Sequence, residues 1–461
     1  MARKKTGPHR KVSAKRSSAR PTRRNHQARV AGSNHLETTI ERDPNLIKRL
    51  LKALGPGFIT GASDDDPSGI GTYSMAGAQL GFGMLWSALI TFPLMASVQY
   101  ICGKVGMASG MGLAGVLRRY YPRWLLYPAV FGLVIANTVN AGTDIGAIAA
   151  AMELLIPIPA IAMIVPITII IVVIQIWKTY RFIERTFKWL TLALLAYIGS
   201  AFFSKPDLGE VISGTLIPRF SLDTTFVSTL VAILGTTISP YLFFWQANQE
   251  VEEEISMGRV TLSQRKGATR KELKYEALDT IAGMLFSNVV MYFIILTTAA
   301  TLFKSGKPDI ESATEAAQAL RPLAGDASYI LLALGLIGSG FLGVPILTGS
   351  AAYAVAETFG WRHSLDDKPH RARAFYAVIA VTTLIGMLIN FIGINPIKAL
   401  FWTAVINGFL SPPLLLVIML IANNTAIMGR RINSTLMNLF GWTTVVVMFA
   451  ATIGLVLSWV K

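Results

Sequence analysis

The sequence predicts an all-α membrane protein, a bundle of spanning helices in which two are interrupted partway across the bilayer. Of its 461 residues, 52% are hydrophobic and 15% charged, with a mean hydropathy of +0.51; a soluble domain carries about 25% charged residues. The apolar residues fall in blocks of roughly 18 to 25, the length a helix needs to cross the hydrocarbon. Two of those blocks hold proline, glycine and polar residues at their centres.

Lipid offers the backbone no hydrogen-bond partner, so each block is a helix or part of a closed barrel. Barrel strands alternate apolar and polar over about ten residues, and these blocks do not. The run AVIAVTTLIGMLI within 375–391 is apolar on every side, and 439–460 is broken only by Thr, Ser and Trp. Eleven blocks follow in order: about 50–80, 84–106, 124–155, 159–177, 182–203, 223–250, 277–303, 327–358, 374–392, 396–421 and 438–460.

Residues 1–45 differ from all that follows. Eleven Lys/Arg and no acid precede Leu36, among Ser, Pro and Gly. Such a segment buries too little surface to fold. It reads as a disordered cytoplasmic arm suited to anionic lipid headgroups, or as an organellar transit peptide lacking an apolar face. Nucleic-acid binding is not expected, because no fold supports the charge. With the arm inside, eleven spans assign twenty loop Lys/Arg to the cytoplasmic side and seven to the other. That asymmetry obeys the positive-inside rule, and a cell (inner) membrane is the expected location.

The first block reads GPGFITGASDDDPSGIGTY, with five glycines, two prolines and three aspartates; the sixth reads LGTTISPYLFFWQ. Proline removes a backbone donor and disfavours helix at the residue before it. The breaks fall at Pro67 and Gly69 in one block and at Gly235 and Pro240 in the other. Interrupted segments in corresponding positions of two halves point to an inverted-repeat transporter. The plainer alternative is two kinked structural helices, which suffices for the lone Pro93 and Pro345.

Asp64, Asp65 and Asp66 are the costliest feature. One carboxylate at the centre of a spanning helix costs at least about 2.5–3.5 kcal/mol, and adjacent carboxylates repel. A cation offsets both costs, and unwound backbone beside Pro67 frees carbonyls to help hold it. Asp64 or Asp65 capping the helix that starts near Ser68 accounts for one of the three. The inventory narrows the rest. Cys102 is the single cysteine, and His9, His26, His35, His363 and His370 all lie outside the apolar blocks. A cysteine cluster and a membrane-embedded histidine site are therefore excluded. No cofactor motif or nucleotide loop supports an enzyme. Paired breaks within one chain favour a transporter over a channel closed by oligomer symmetry, and anionic Asp66 suits an amino-acid substrate poorly.

The run GPGFITGASDDDPSGIGTYSMAGAQLGFGMLW resembles the first span of the natural resistance-associated macrophage protein (NRAMP) family of divalent metal transporters, whose motif there is Asp-Pro-Gly-Asn. NAGTDIGAIAAAMEL, YRFIERTFKWL and the surroundings of Asn288 resemble later family segments, and the likeness covers roughly 50–420. It implies the leucine-transporter-like fold: a first five-helix repeat over 46–204, a second over 205–422, and an eleventh span appended over 423–461. It also implies that Asp66 coordinates the metal, that the carbonyls of Ser63 and Thr236 complete the site, and that Asp144 belongs to a proton pathway; Asp65, from the acidic run itself, is a further expected ligand.

The chain departs from the family at the site itself. Ser68-Gly69 replaces Gly-Asn, and Ser239-Pro240-Tyr241 replaces Met-Pro-His. A thioether favours Mn²⁺, Fe²⁺ and Cd²⁺ over hard Mg²⁺ and Ca²⁺, and a hydroxyl removes that preference. Ser239 either ligates directly or makes room for a retained water. This pattern resembles the NRAMP-related magnesium transporter branch. Ala147 stands where the family has the glutamate partner of Asp144, and Tyr241 where it has histidine, so proton coupling is expected to be weak or lost. Asn288 either lines the pathway or joins helices. The expected function is alternating-access transport of Mg²⁺ or Mn²⁺, then Fe²⁺, with no enzyme activity, no resident cofactor and no obligate protein partner. Proton-coupled Mn²⁺/Fe²⁺ symport and a cation channel are the alternatives.

Overall fold

The computed structural model describes residues 56–177, 192–310, 312–365 and 367–460, and its regular elements are helical. The basic tail, the charges Arg181, Glu184 and Arg185, and the first part of the 182–203 block lie outside the described residues.

The first block splits into α1 (Pro56–Asp64) and α2 (Pro67–Leu80). Then come α3 (Trp86–Ser109), the short α4 (Leu113–Tyr120), α5 (Arg123–Glu153), α6 (Ala160–Trp177) and α7 (Ala196–Phe203). A helix not anticipated from sequence, α8 (Leu208–Leu216), lies in the connection that follows. The sixth block splits into α9 (Thr224–Thr237) and α10 (Pro240–Ser256). Long helices complete the chain: α11 (Arg270–Thr298), α12 (Ser328–Phe359), α13 (Arg373–Ile389), α14 (Pro396–Ala422) and α15 (Thr435–Val460).

Among the described residues, eight helical runs have the length and apolar composition to cross a bilayer. Leu192–Phe203 and Arg373–Ile389 are shorter apolar stretches, and the first block is divided by its break. Length and composition alone therefore give fewer spans than the eleven expected.

Small residues set the helix contacts, as they must where lipid removes the hydrophobic drive between helices. Gly61 of α1 lies against the Gly283 backbone of α11, Gly235 of α9 against Ala404 and Gly408 of α14, and Gly142 of α5 against Gly386 of α13. A side chain at any of the three would overlap main chain. In contrast, α15 turns Leu439, Val446, Ile453 and Leu457 outward, the pattern of a peripheral helix facing lipid. Between α10 and α11, Arg259 pairs with Glu254 at 3.3 Å and Glu272 at 2.5 Å. Burial opposes the Arg259 charge, but the two carboxylates outweigh it and hold the guanidinium above its ordinary range.

Candidate cation site at the two helix breaks

At the first break Asp66 is the residue that caps α2, with an extended backbone (φ −67°, ψ 170°). Its Oδ1 accepts from Ser68 Oγ at 2.6 Å and from the Gly69 amide at 2.8 Å. Pro67 occupies the first helical position, where its missing N–H costs nothing. Capping by Asp64 or Asp65, weighed from the sequence, is thus corrected: the cap belongs to Asp66. Gly69 keeps the wall open, because a Cβ there would crowd the Asp64 carbonyl at 3.2 Å and Thr236 Oγ1 at 3.3 Å.

At the second break α9 ends at Thr237, and Ser239 precedes α10 with an extended backbone but no side-chain cap. Its hydroxyl turns back and donates to the carbonyls of Gly235 and Thr236, each at 2.7 Å. The freed Ile238 carbonyl accepts from Ser411 Oγ of α14 at 2.7 Å. Both breaks are therefore built into the packing, and a loose kink is not what is seen.

The breaks meet at Asp66 Oδ2, which accepts from Tyr241 Oη at 3.2 Å and from Asn140 Nδ2 of α5 at 3.3 Å. Asp144, one turn beyond Asn140, shares that face of α5. Gly343 of α12 forms the opposite wall, with its Cβ position 3.1 Å from Asp66 Cβ and 3.6 Å from Asp144 Oδ2. Asp66, Asn140, Asp144, Thr236, Ser239 and Tyr241 are all buried to 1% exposure or less. Among the described residues, no side-chain donor reaches the Asp144 carboxylate or Asn140 Oδ1, and the Ser68 amide is the group that approaches Asp144. Buried oxygens short of donors are costly unless something positive meets them, and a small cation is the group that fits oxygens alone.

Asp65 and Asn288 bond away from the Asp66 group, and the Ser63 side chain bonds within α1. Asp64 Oδ2 and Asp65 Oδ1 both accept from Ser287 Oγ of α11, at 2.7 and 3.1 Å, so the structure turns Asp65 toward α11 instead of the Asp66 group. The Ser63 hydroxyl donates to the Ile59 carbonyl at 2.7 Å. Asn288 donates to the Ala88 carbonyl at 2.9 Å and accepts from Thr91 at 3.2 Å; it joins α11 to α3. Among the described residues, no three His, Cys, Asp or Glu side chains gather as a metal-binding group, so any cation here depends on hydroxyl, amide and carbonyl oxygens as well. Sequence alone does not single out Asn140; its four-residue spacing from Asp144 is the signal that places both on one face of α5. Gly343 carried no such signal.

A family model described as natural resistance-associated macrophage protein-like matches residues 57–458. The divalent metal cation transporter MntH of Bacillus subtilis (strain 168) is 26% identical over 417 residues, covering 89% of this chain and 92% of the relative. Among solved structures, the manganese transporter of Eremococcus coleocola, in complex with an aromatic bis-isothiourea compound, aligns with a TM-score of 0.72 at 18% identity, over 90% of this chain and 88% of that one. Mhp1, a nucleobase-cation-symport-1 family transporter in a closed conformation, aligns at 0.56 with 15% identity, over 87% and 92%. MhsT in complex with L-phenylalanine aligns at 0.53 with 14% identity, over 88% and 97%. These likenesses fix the fold as leucine-transporter-like.

Proposed function

The chain belongs to the natural resistance-associated macrophage protein-like family, a family of multi-pass membrane transporters and not of enzymes, and from that premise we propose that it moves Mg²⁺ or Mn²⁺, ahead of Fe²⁺, across the membrane by alternating access. The observation that carries this reading is the meeting of both breaks at Asp66 Oδ2, beside Asp144 and Asn140 oxygens that no described side chain donates to. The arriving ion takes Asp66 as its anionic ligand and displaces the Tyr241 and Asn140 donors from Oδ2. Turning the Ser239 hydroxyl outward frees the Thr236 carbonyl, which with the Ser63 carbonyl completes an oxygen-only set. Asp65 enters that set only by leaving Ser287.

Oxygen ligands select hard ions, and the serine at position 239 supplies no sulfur. Manganese is favoured by a different fact: the Bacillus subtilis relative is a divalent metal cation transporter and the Eremococcus coleocola protein a manganese transporter. In this reading the repeats span 46–204 and 205–422 with 423–461 appended, giving eleven spans with the N-terminus inside, the basic tail lying on anionic headgroups. Ala147 and Tyr241 leave Asp144 without the family's acid and histidine, so transport is weakly coupled to protons or uncoupled. Proteoliposomes carrying a lumenal pH dye test this. Mn²⁺ and Mg²⁺ uptake that saturates without lumenal acidification supports the proposal. Stoichiometric acidification would assign the chain to proton symport, and unsaturable flux would make it a channel.

A further inference from the structure

Toward the end of the bundle where α1 begins, a second buried polar group joins three helices and takes no part in the cation site. Glu250 of α10 and Glu276 of α11 are 3% and 5% exposed. A single amide nitrogen, Gln246 Nε2, donates to Oε1 of both, at 3.0 Å each. Thr280 Oγ1 adds a donor to Glu276 Oε1 at 2.9 Å. Gln246 Oε1 accepts from Thr60 Oγ1 at 2.6 Å, which carries the group across to α1. Gly103 of α3 closes it, since a side chain there would run into Glu276 Oε1 and Gln246 Nε2.

Among the described residues, no basic side chain pairs with either carboxyl. On α11, Asp279 spends its oxygens on the Gly57 and Phe58 amides at 2.7 and 3.1 Å, and Glu272 pairs with Arg259. On α10, Glu254 pairs with Arg259, and Glu253 lies one turn toward the helix end. On α3, Lys104 bonds Asn433, while Tyr100 and Cys102 are the remaining titratable groups beside Gly103. Arg431 donates to the Ala268 carbonyl at 2.8 Å. Two like charges so close in a buried site do not persist without a counter-charge. A metal between them is disfavoured, because the amide N–H groups of Gln246 already point at both carboxyls and would face the cation. Gln99 supplies an independent sign of a ligand. One turn before Gly103 and on the same face of α3, it is 1% exposed and neither side-chain polar atom has a partner. It offers a donor and an acceptor to a group that carries a proton.

We propose that Glu250 and Glu276 form a proton-binding site that locks α1 against α10 and α11 while occupied and lets α1 leave when the proton departs. The lock acts through Gln246 and Thr60. Opening that end admits water, which hydrates the ionised pair and favours release of the proton. The proton enters and leaves by one side, so the site sets the rate of opening and moves no proton across the membrane.

Hydrogen–deuterium exchange of residues 56–64 in the purified, metal-free protein tests this, after correction for the intrinsic pH dependence of exchange. Protection should fall at least about tenfold between pH 5.5 and 8.5, a shift of roughly one decade in an equilibrium constant. Glu250→Gln with Glu276→Gln, which imitates the protonated pair, should keep α1 protected at both pH values. Thr60→Val should lower protection at both. Should the double variant not fold, Glu250→Gln alone should still reduce the slope. The same slope must survive in Asp66→Ala, which separates this lock from the cation site. A wild-type protein with no slope, a Gln variant with the full slope, or loss of a second bound Mn²⁺ on Glu250→Gln would overturn the assignment.

Discussion

Tyr241 donates its phenol to Asp66 Oδ2 across 3.2 Å, and that bond joins the cap of α2 to the first turn of α10. It ties the two broken helices to each other at the proposed cation site. A hydrogen bond to a charged group contributes about 1.5–3 kcal/mol. Tyr241→Phe should therefore lower the stability of the metal-free protein by about that amount. The difference should shrink when Mn²⁺ is saturating, because the ion replaces the lost donor. Thermal unfolding with and without Mn²⁺ reads both; an equal loss in the two conditions would mean the phenol does not share Oδ2 with the ion.

The three consecutive aspartates should not contribute equally. Asp66 faces α5 and α10, whereas Asp64 and Asp65 share the Ser287 hydroxyl. Losing one partner of a buried charge pair costs about 2–5 kcal/mol, at least about 30-fold in affinity. Isothermal titration should show that loss in Asp66→Asn and a clearly smaller one in Asp65→Asn. Equal losses would return Asp65 to the ligand set.

Gly283 lies against the backbone of Gly57 and Phe58, within 2.7 Å of Phe58 Cα for an added Cβ. Overpacking typically costs about 1–3 kcal/mol, so Gly283→Ala should lower the melting temperature and push α1 away from α11. A thermal scan paired with proteolysis near residue 56 reports both, and an unchanged scan would mean the contact relaxes freely.

Arg259 holds Glu254, whose side chain is 2% exposed. Removing one partner of a buried ion pair costs about 3–5 kcal/mol. Arg259→Ala should approach the lower figure, since Glu272 is more open, and Arg259→Lys should recover part of it in the same unfolding experiment. An Arg259→Ala protein as stable as the wild type would show that the bridge contributes little.

Much of this was written in the sequence. Pro67 and Pro240 mark both breaks because each opens a helix at its first position, next to residues that already leave the helix; Pro93 and Pro345 stay inside continuous helices. Asp66 stood out by the cost of a carboxylate in a span. What the sequence left unread were partners brought in from other helices. Asp65 and Asp66 are chain neighbours, yet a break between α1 and α2 sends their carboxyls to different helices, and no periodicity survives across an unwound residue. Asn288 is polar in an apolar span, and nothing in its own neighbourhood says that it meets Ala88. Gly343 carries no chemistry and matters only by being small where Asp66 and Asp144 approach.

An oxygen-only cation site between the two breaks makes Ser239 the position that sets ion preference. Competition titrations of Mg²⁺ and Mn²⁺ into the wild type and Ser239→Met test it most directly. The wild type should bind the two ions with comparable affinity, and Ser239→Met should shift preference at least about tenfold toward Mn²⁺, with Cd²⁺ gaining more, once a thioether is present. A Ser239→Met protein whose ratio of Mn²⁺ to Mg²⁺ affinity equals that of the wild type would contradict it.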